Sequence, residues 1–152
     1  MLLALGDNMD ADPARQRTRE RLMRILLCYD ETKEAAKALE TAIEHAKAFN
    51  GEVLILTSLV GKGKEKVEED REAKQRLEKA RAYLKEAGIP CESHLLVRGL
   101  DSGESIVNFS KENGVGEIII GVKKKSKVGK LMFGSTAQHV ILHAECTVVA
   151  VK

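Results

Sequence analysis

The chain has 152 residues, the size of one domain with a core of its own. Lys and Arg (25) nearly balance Asp and Glu (23), so the net charge of +2 lacks the broad positive field of a nucleic-acid coat protein. Aromatic residues make up only 3%, with no Trp, which argues against a base-stacking reader of RNA and requires a core of Val, Ile, Leu and Ala.

No apolar run approaches the about 18 residues of a membrane span. Met1 to Leu5 is apolar but short, with no basic region before it, and makes a poor signal peptide. Gly6 to Leu22 is polar, holds Pro13 and four arginines, and reads as a flexible extension. The expected organisation is therefore an extension over residues 1–22 and one domain over residues 23–152, with Met23 an alternative start.

Ile25 to Cys28 is a short continuous apolar run, as expected of a parallel strand covered on both faces. Thr32 is placed to cap a helix in which Ala35, Ala36, Leu39, Ala42, Ile43, Ala46 and Phe49 recur at helical spacing, and Asn50-Gly51 stops it. Val53 to Leu56 is a second buried strand. After the Gly61–Lys64 connector, Val67, Ala73, Leu77, Ala80, Leu84 and Ala87 mark a long charge-laced helix that ends at Gly88. Cys91 to Val97 is polar first and apolar last, which suits an edge strand.

Asp101 and Glu104 have capping-box spacing, and Ile106, Val107 and Phe109 continue that helix to Asn113-Gly114. Ile118 to Ile120 is a third buried strand, stopped by Gly121. A lysine-rich loop leads to Gly134, and Ser135 with Gln138 has the spacing of another capping box. Ala137, Val140 and Ile141 give the helix that follows an apolar side, and Thr147 to Val151 is the last strand. Five strands alternating with four helices predict an α/β fold with a parallel sheet and helices on both faces. Covering both faces with right-handed crossovers requires a reversal, and ligands bind at the carboxyl ends of the strands beside it.

Three features converge there: Asp30 after the first strand, Gly121 after the third clear strand, and Gly134-Ser135-Thr136 opening a helix. A helix N-terminus offers backbone N–H groups and partial positive charge to an anion such as phosphate. Lys123, Lys124, Lys125, Lys127 and Lys130 add a cation cluster between them. The three cysteines, Cys28, Cys91 and Cys146, form no CxxC pair and suit a reducing, cytoplasmic compartment. His139 and His143 lie one helical turn apart, without the third ligand of a zinc motif, and read as surface or interface histidines. His45 and His94 stand alone, the carboxylates read as solvated helix faces, and no catalytic or metal-binding set emerges.

Residues 23–152 resemble the universal stress protein family, most specifically in MRILLCYDET at 23–32 and GVKKKSKVGKLMFGSTAQHVILHAECTVVAV from Gly121 onward. The resemblance implies a Rossmann-like five-stranded parallel sheet of order 3-2-1-4-5 and, in many members, an ATP or AMP site with the pattern G-x2-G-x9-G-[ST]. Gly121 and Gly134-Ser135 match that pattern, whereas Lys124 stands at its second glycine. Carried over residue by residue, Asp30 would approach adenine and ribose, and the backbone of Ser58 would read the adenine edge. Ile120 would lie against the nucleoside, and Gly134, Ser135 and Thr136 would hold the phosphates.

Lys124 leaves two readings: its ammonium contacts a phosphate, or the loop has changed and the protein works through protein partners. A slow ATP hydrolase is a third reading, for which the sequence supplies no water-activating base. A bound triphosphate would bring Mg²⁺ or Mn²⁺. The apolar last strand would be an exposed edge. On that ground and by the resemblance, a homodimer through the C-terminal strand is expected, without nucleic-acid or membrane partners.

Overall fold

The computed structural model describes residues 2–5, 22–30, 32–59, 66–97, 102–123, 125–127, 130–132 and 134–152. The strands are β1 (Leu2–Leu5), β2 (Arg24–Cys28), β3 (Glu52–Leu59), β4 (Cys91–Val97), β5 (Glu117–Gly121), β6 (Lys125–Lys127), β7 (Lys130–Met132) and β8 (Thr147–Val151). The helices are α1 (Lys33–Phe49), α2 (Lys66–Glu86), α3 (Ser102–Glu112) and α4 (Ser135–His143).

Five parallel strands run in the order β4-β3-β2-β5-β8, the 3-2-1-4-5 order expected. The parallel strands start in the middle with β2, wind outward to β4, then cross back to β5 and β8. The reversal therefore falls between β2 and β5.

Continuous apolar runs form the central strands because both their faces are covered. On one face, Ile25, Leu27, Val53, Ile55 and Ile119 pack with Ala38, Ala42 and Ala46 of α1 and Leu77, Ala80 and Leu84 of α2. On the other, Leu26, Leu54, Ile118 and Ile120 pack with Ile106 and Phe109 of α3 and Ala137 and Val140 of α4. Alanines on α1 let the helix sit close to the sheet, which offsets the lack of large rings. Thr32 caps α1 as expected, its hydroxyl accepting from Ala35 N at 3.1 Å. Asn50 ends the same helix in the left-handed conformation, φ 50°.

Several expectations are corrected. Leu2–Leu5, counted within the flexible extension, adds to the sheet as β1, antiparallel to β4. Its apolar residues gain a strand partner there, while residues 6–21 lie outside the described ones. With β1 alongside, β4 is no longer at the edge. Part of the lysine-rich loop folds as an antiparallel ribbon, with Ser126 opposite Leu131. The capping box at Ser135 and Gln138 does not form: Gly134 is the N-cap, no described side chain caps the helix, and Ser135 already belongs to α4. The capping box at Asp101 lies partly outside the described residues.

Two carboxylates are buried rather than solvated. Glu52 and Glu117, 3% and 5% exposed, open β3 and β5. Arg24 Nε meets Glu52 Oε1 at 2.7 Å, and Arg24 Nη1 donates to the Asn113 carbonyl at 2.8 Å. His45, assigned no role from sequence, places Nδ1 2.6 Å from Glu117 Oε1. These pairs seal the amino end of the parallel sheet.

Candidate functional site

At the opposite, carboxyl end of the sheet the described residues leave a cleft. After β2 the chain stays pinned to β3: Tyr29 N donates to the Leu56 carbonyl at 2.9 Å, and Thr57 Oγ1 donates to the Tyr29 carbonyl at 2.6 Å. The backbone then turns at exposed Asp30. Its Oδ1 accepts from Thr32 N at 2.9 Å and from the Thr32 hydroxyl, the same hydroxyl that caps α1. Asp30 is thus braced by the turn that starts α1, and its carboxylate is oriented before any ligand arrives.

Gly121 ends β5 against the first turn of α1. A Cβ there would lie 2.7 Å from the Glu34 carbonyl carbon and 2.9 Å from Ala35 N. Only a glycine lets this strand and helix approach so closely. Gly134, the N-cap of α4, is the opposite case: a Cβ there would meet nothing within 4 Å. Its backbone is extended, φ −60° and ψ 153°, and its carbonyl accepts from Gln138 N at 3.0 Å. The first N–H groups of any helix lack intrahelical acceptors. Among the described residues no side chain folds back to cap them in α4, and none fills the space beside Gly134.

Between these elements lies a cleft of about 380 Å³, within the range of small-molecule sites. The carboxyl ends of β2, β3 and β5 form its floor, with Cys28, Thr57 and Ile120 among the lining residues. Gly134 and Thr136 of α4 stand on one side and Arg76 of α2 on another. Six of the residues singled out for the site from sequence line it: Asp30, Ile120, Gly121, Lys123, Gly134 and Thr136. Ser135 is exposed and outside the lining. Ser58 continues β3 beside Thr57, its backbone in register with Leu96; nothing is described of its side chain. Lys124 lies outside the described residues.

The cleft also contains residues that sequence reasoning passed over. Thr57, next to Leu56, is a buried polar residue near the carboxyl end of β3. Arg76 is one charge among many on α2, and only the packing of that helix directs it to the cleft. Cys28 is the one thiol in the lining. Burial, reinforced by the negative charge of Asp30, pushes its pKa up to about 12. The thiol stays protonated at neutral pH and is no activated nucleophile. His139 and His143 stack with ring centroids 4.2 Å apart, and His139 Cβ sits where a Cβ on Gly103 would fall, 2.6 Å away. His139 packs α4 against α3, and exposed His143 places its Nδ1 2.9 Å from the His139 carbonyl oxygen. Among the described residues no group of three or more His, Cys, Asp or Glu side chains could hold a metal ion. No helix among them is long and apolar enough to cross a membrane.

An open parallel α/β sheet with its crevice at the chain reversal, beside the N-terminus of a helix, defines the Rossmann-like class of fold. The chain belongs to the Universal stress protein family, whose sequence profile matches residues 22–152. A universal stress protein from Archaeoglobus fulgidus is similar at 38% identity and a TM-score of 0.77, over 86% of this chain and 98% of that one. The universal stress protein from Archaeoglobus fulgidus in complex with dAMP matches at 33% identity and a TM-score of 0.74, over 87% of this chain and 99% of that one. At 16% identity and a TM-score of 0.61, a family protein from Arabidopsis thaliana with AMP bound shares the fold, over 86% and 91% of the two chains. No curated protein matches the chain.

Proposed function

We propose that the cleft binds an adenine nucleotide, AMP or ATP, and that the protein is a nucleotide-binding regulatory module in the stress response. The observation that carries this is the first turn of α4: a helix N-terminus that no described side chain caps, with open space at Gly134 among the described residues, on the wall of a cleft sized for a small molecule. Phosphate would take the N–H groups of Ser135, Thr136 and Ala137. Lys123, which also lines the cleft, adds positive charge on the same side. The nucleoside would lie over Ile120 and the strand ends, with Asp30 beside the ribose. The dAMP complex of the Archaeoglobus fulgidus protein supports the reading by similarity. With a triphosphate, Mg²⁺ or Mn²⁺ would travel with the phosphates, and Asp30 is the one carboxylate among the described lining residues. The expected setting is cytoplasmic, in keeping with three free thiols. Calorimetric titration with AMP and ATP tests the proposal: heat saturating at one nucleotide per chain is expected, and none with either would refute it.

Lys124 at the family pattern's second glycine favours a second reading, in which the fold is kept and the protein acts through protein partners. The two part on Lys124→Gly. Weaker AMP binding in that variant fits a lysine on the phosphate; binding gained only in the variant fits the second reading.

The protein is also proposed to form a homodimer through β8. This strand ends the described sheet, and Val148, Val149 and Val151 remain partly exposed on it. Pairing with a second copy would satisfy an edge that is otherwise a liability. Sedimentation should give twice the chain mass, and a stable monomer at working concentration would contradict the dimer.

A further inference from the structure

The cleft has two unlike ends. One is the first turn of α4, the phosphate end of the proposed function, on which the following inference rests. The other, at β3 and α2, is lined by Thr57 and Arg76. From β5 through β2 to β3 is two strand spacings, about 10 Å. A nucleoside monophosphate anchored at Gly134 therefore directs its base away from α4, toward Arg76.

A flat base needs a flat surface to lie on, and the described lining offers few. Tyr29 is the one aromatic residue among the described lining residues, and its side chain packs against the core beneath α1 and α2. The remaining floor is aliphatic, including Leu56, Ile106 and Ile120. A guanidinium is planar, keeps its charge, and stacks on or hydrogen-bonds to a heteroaromatic ring. We infer that Arg76 is the base-recognising residue of the cleft, contacting the nucleobase and not the phosphate. It determines specificity for a planar base, as an aromatic side chain does in aromatic-rich sites.

The test uses the full chain and two ligands that share a base, AMP and adenosine. Titrations followed by amide chemical shifts read affinities into the millimolar range. Arg76→Met keeps an apolar stem, and Arg76→Lys keeps the charge without the plane. Both variants should weaken AMP and adenosine by the same factor, about tenfold, with thermal melting confirming that each is folded. If AMP alone weakens, Arg76 contacts phosphate and the inference fails. It fails equally if neither ligand weakens, if Arg76→Lys binds as the parent does, or if the parent binds AMP without measurable affinity for adenosine. A parent protein that binds no AMP overturns the nucleotide reading itself, a result distinct from the others.

Discussion

The two ends of the parallel sheet are built from the same strands and are chemically opposite. At the amino end, charge is buried and answered: Arg24 meets Glu52 at 2.7 Å, and His45 meets Glu117 at 2.6 Å. At the carboxyl end, side chains step back. Gly121 removes a side chain to bring α1 close, and Gly134 leaves open space at an uncapped helix. Ion pairs close a surface, because a buried carboxylate requires its partner at all times. Backbone donors at a helix start can remain solvated until an anion displaces the water. The first end is suited to holding the sheet together, and the second is where the proposed nucleotide would exchange.

The sharpest contrast is between the two glycines of the cleft. Gly121→Val should cost about 3 kcal/mol, since even its Cβ would press into the α1 backbone. Urea unfolding measures this, and a loss within a few tenths of a kcal/mol would show that α1 does not pack as described. Next in size is the amino end. Arg24→Met should cost about 2 kcal/mol by leaving Glu52 buried without the Arg24 guanidinium. Adding Glu52→Leu should recover most of that loss, whereas a double variant as unstable as the single would mean that the charge pair is not the cause.

The thiol on the cleft floor gives a pH dependence. Cys28 holds its proton to about 12 when folded, against 9.0 for the unperturbed group. The folded state therefore binds the proton more tightly. Its contribution to stability is present below pH 9 and lost between 9 and 12, at up to about 1.4 kcal/mol per pH unit. Urea midpoints at pH 8 and pH 10 should differ more in the parent than in Cys28→Ala, and equal differences would refute the shift. The smallest effect is expected at Gly134. Gly134→Ala should change stability by less than about 0.5 kcal/mol, as its Cβ meets nothing. A larger loss would show that this glycine serves the fold rather than the ligand space.

The elements were legible wherever the local pattern and the packing agree. Apolar runs at Ile25–Cys28 and Ile118–Ile120 are strands because both sheet faces are covered. The Thr32 cap and the Asn50 stop stand where their chemistry places them. Less was legible where a partner is distant in sequence. Glu52 and Glu117 look like ordinary carboxylates until the sheet register sets Arg24 beside Glu52 and α1 brings His45 to Glu117. Arg76 is hidden for the same reason, since nothing within α2 tells it apart from its charged neighbours. The Ser135 capping box misled by one residue, because Gly134 occupies the cap without a side chain to reveal it. Leu2–Leu5 is too short to distinguish from an apolar start until β4 offers it an edge.

The most direct test of the division between the two ends is an amide chemical-shift map of the nitrogen-15-labelled protein during titration with AMP. The expected shifts cluster at Gly121, Val122 and Gly134 to Ala137, while Arg24, Glu52 and Glu117 stay in place. Shifts centred on the amino end, or none at saturating AMP, would contradict it.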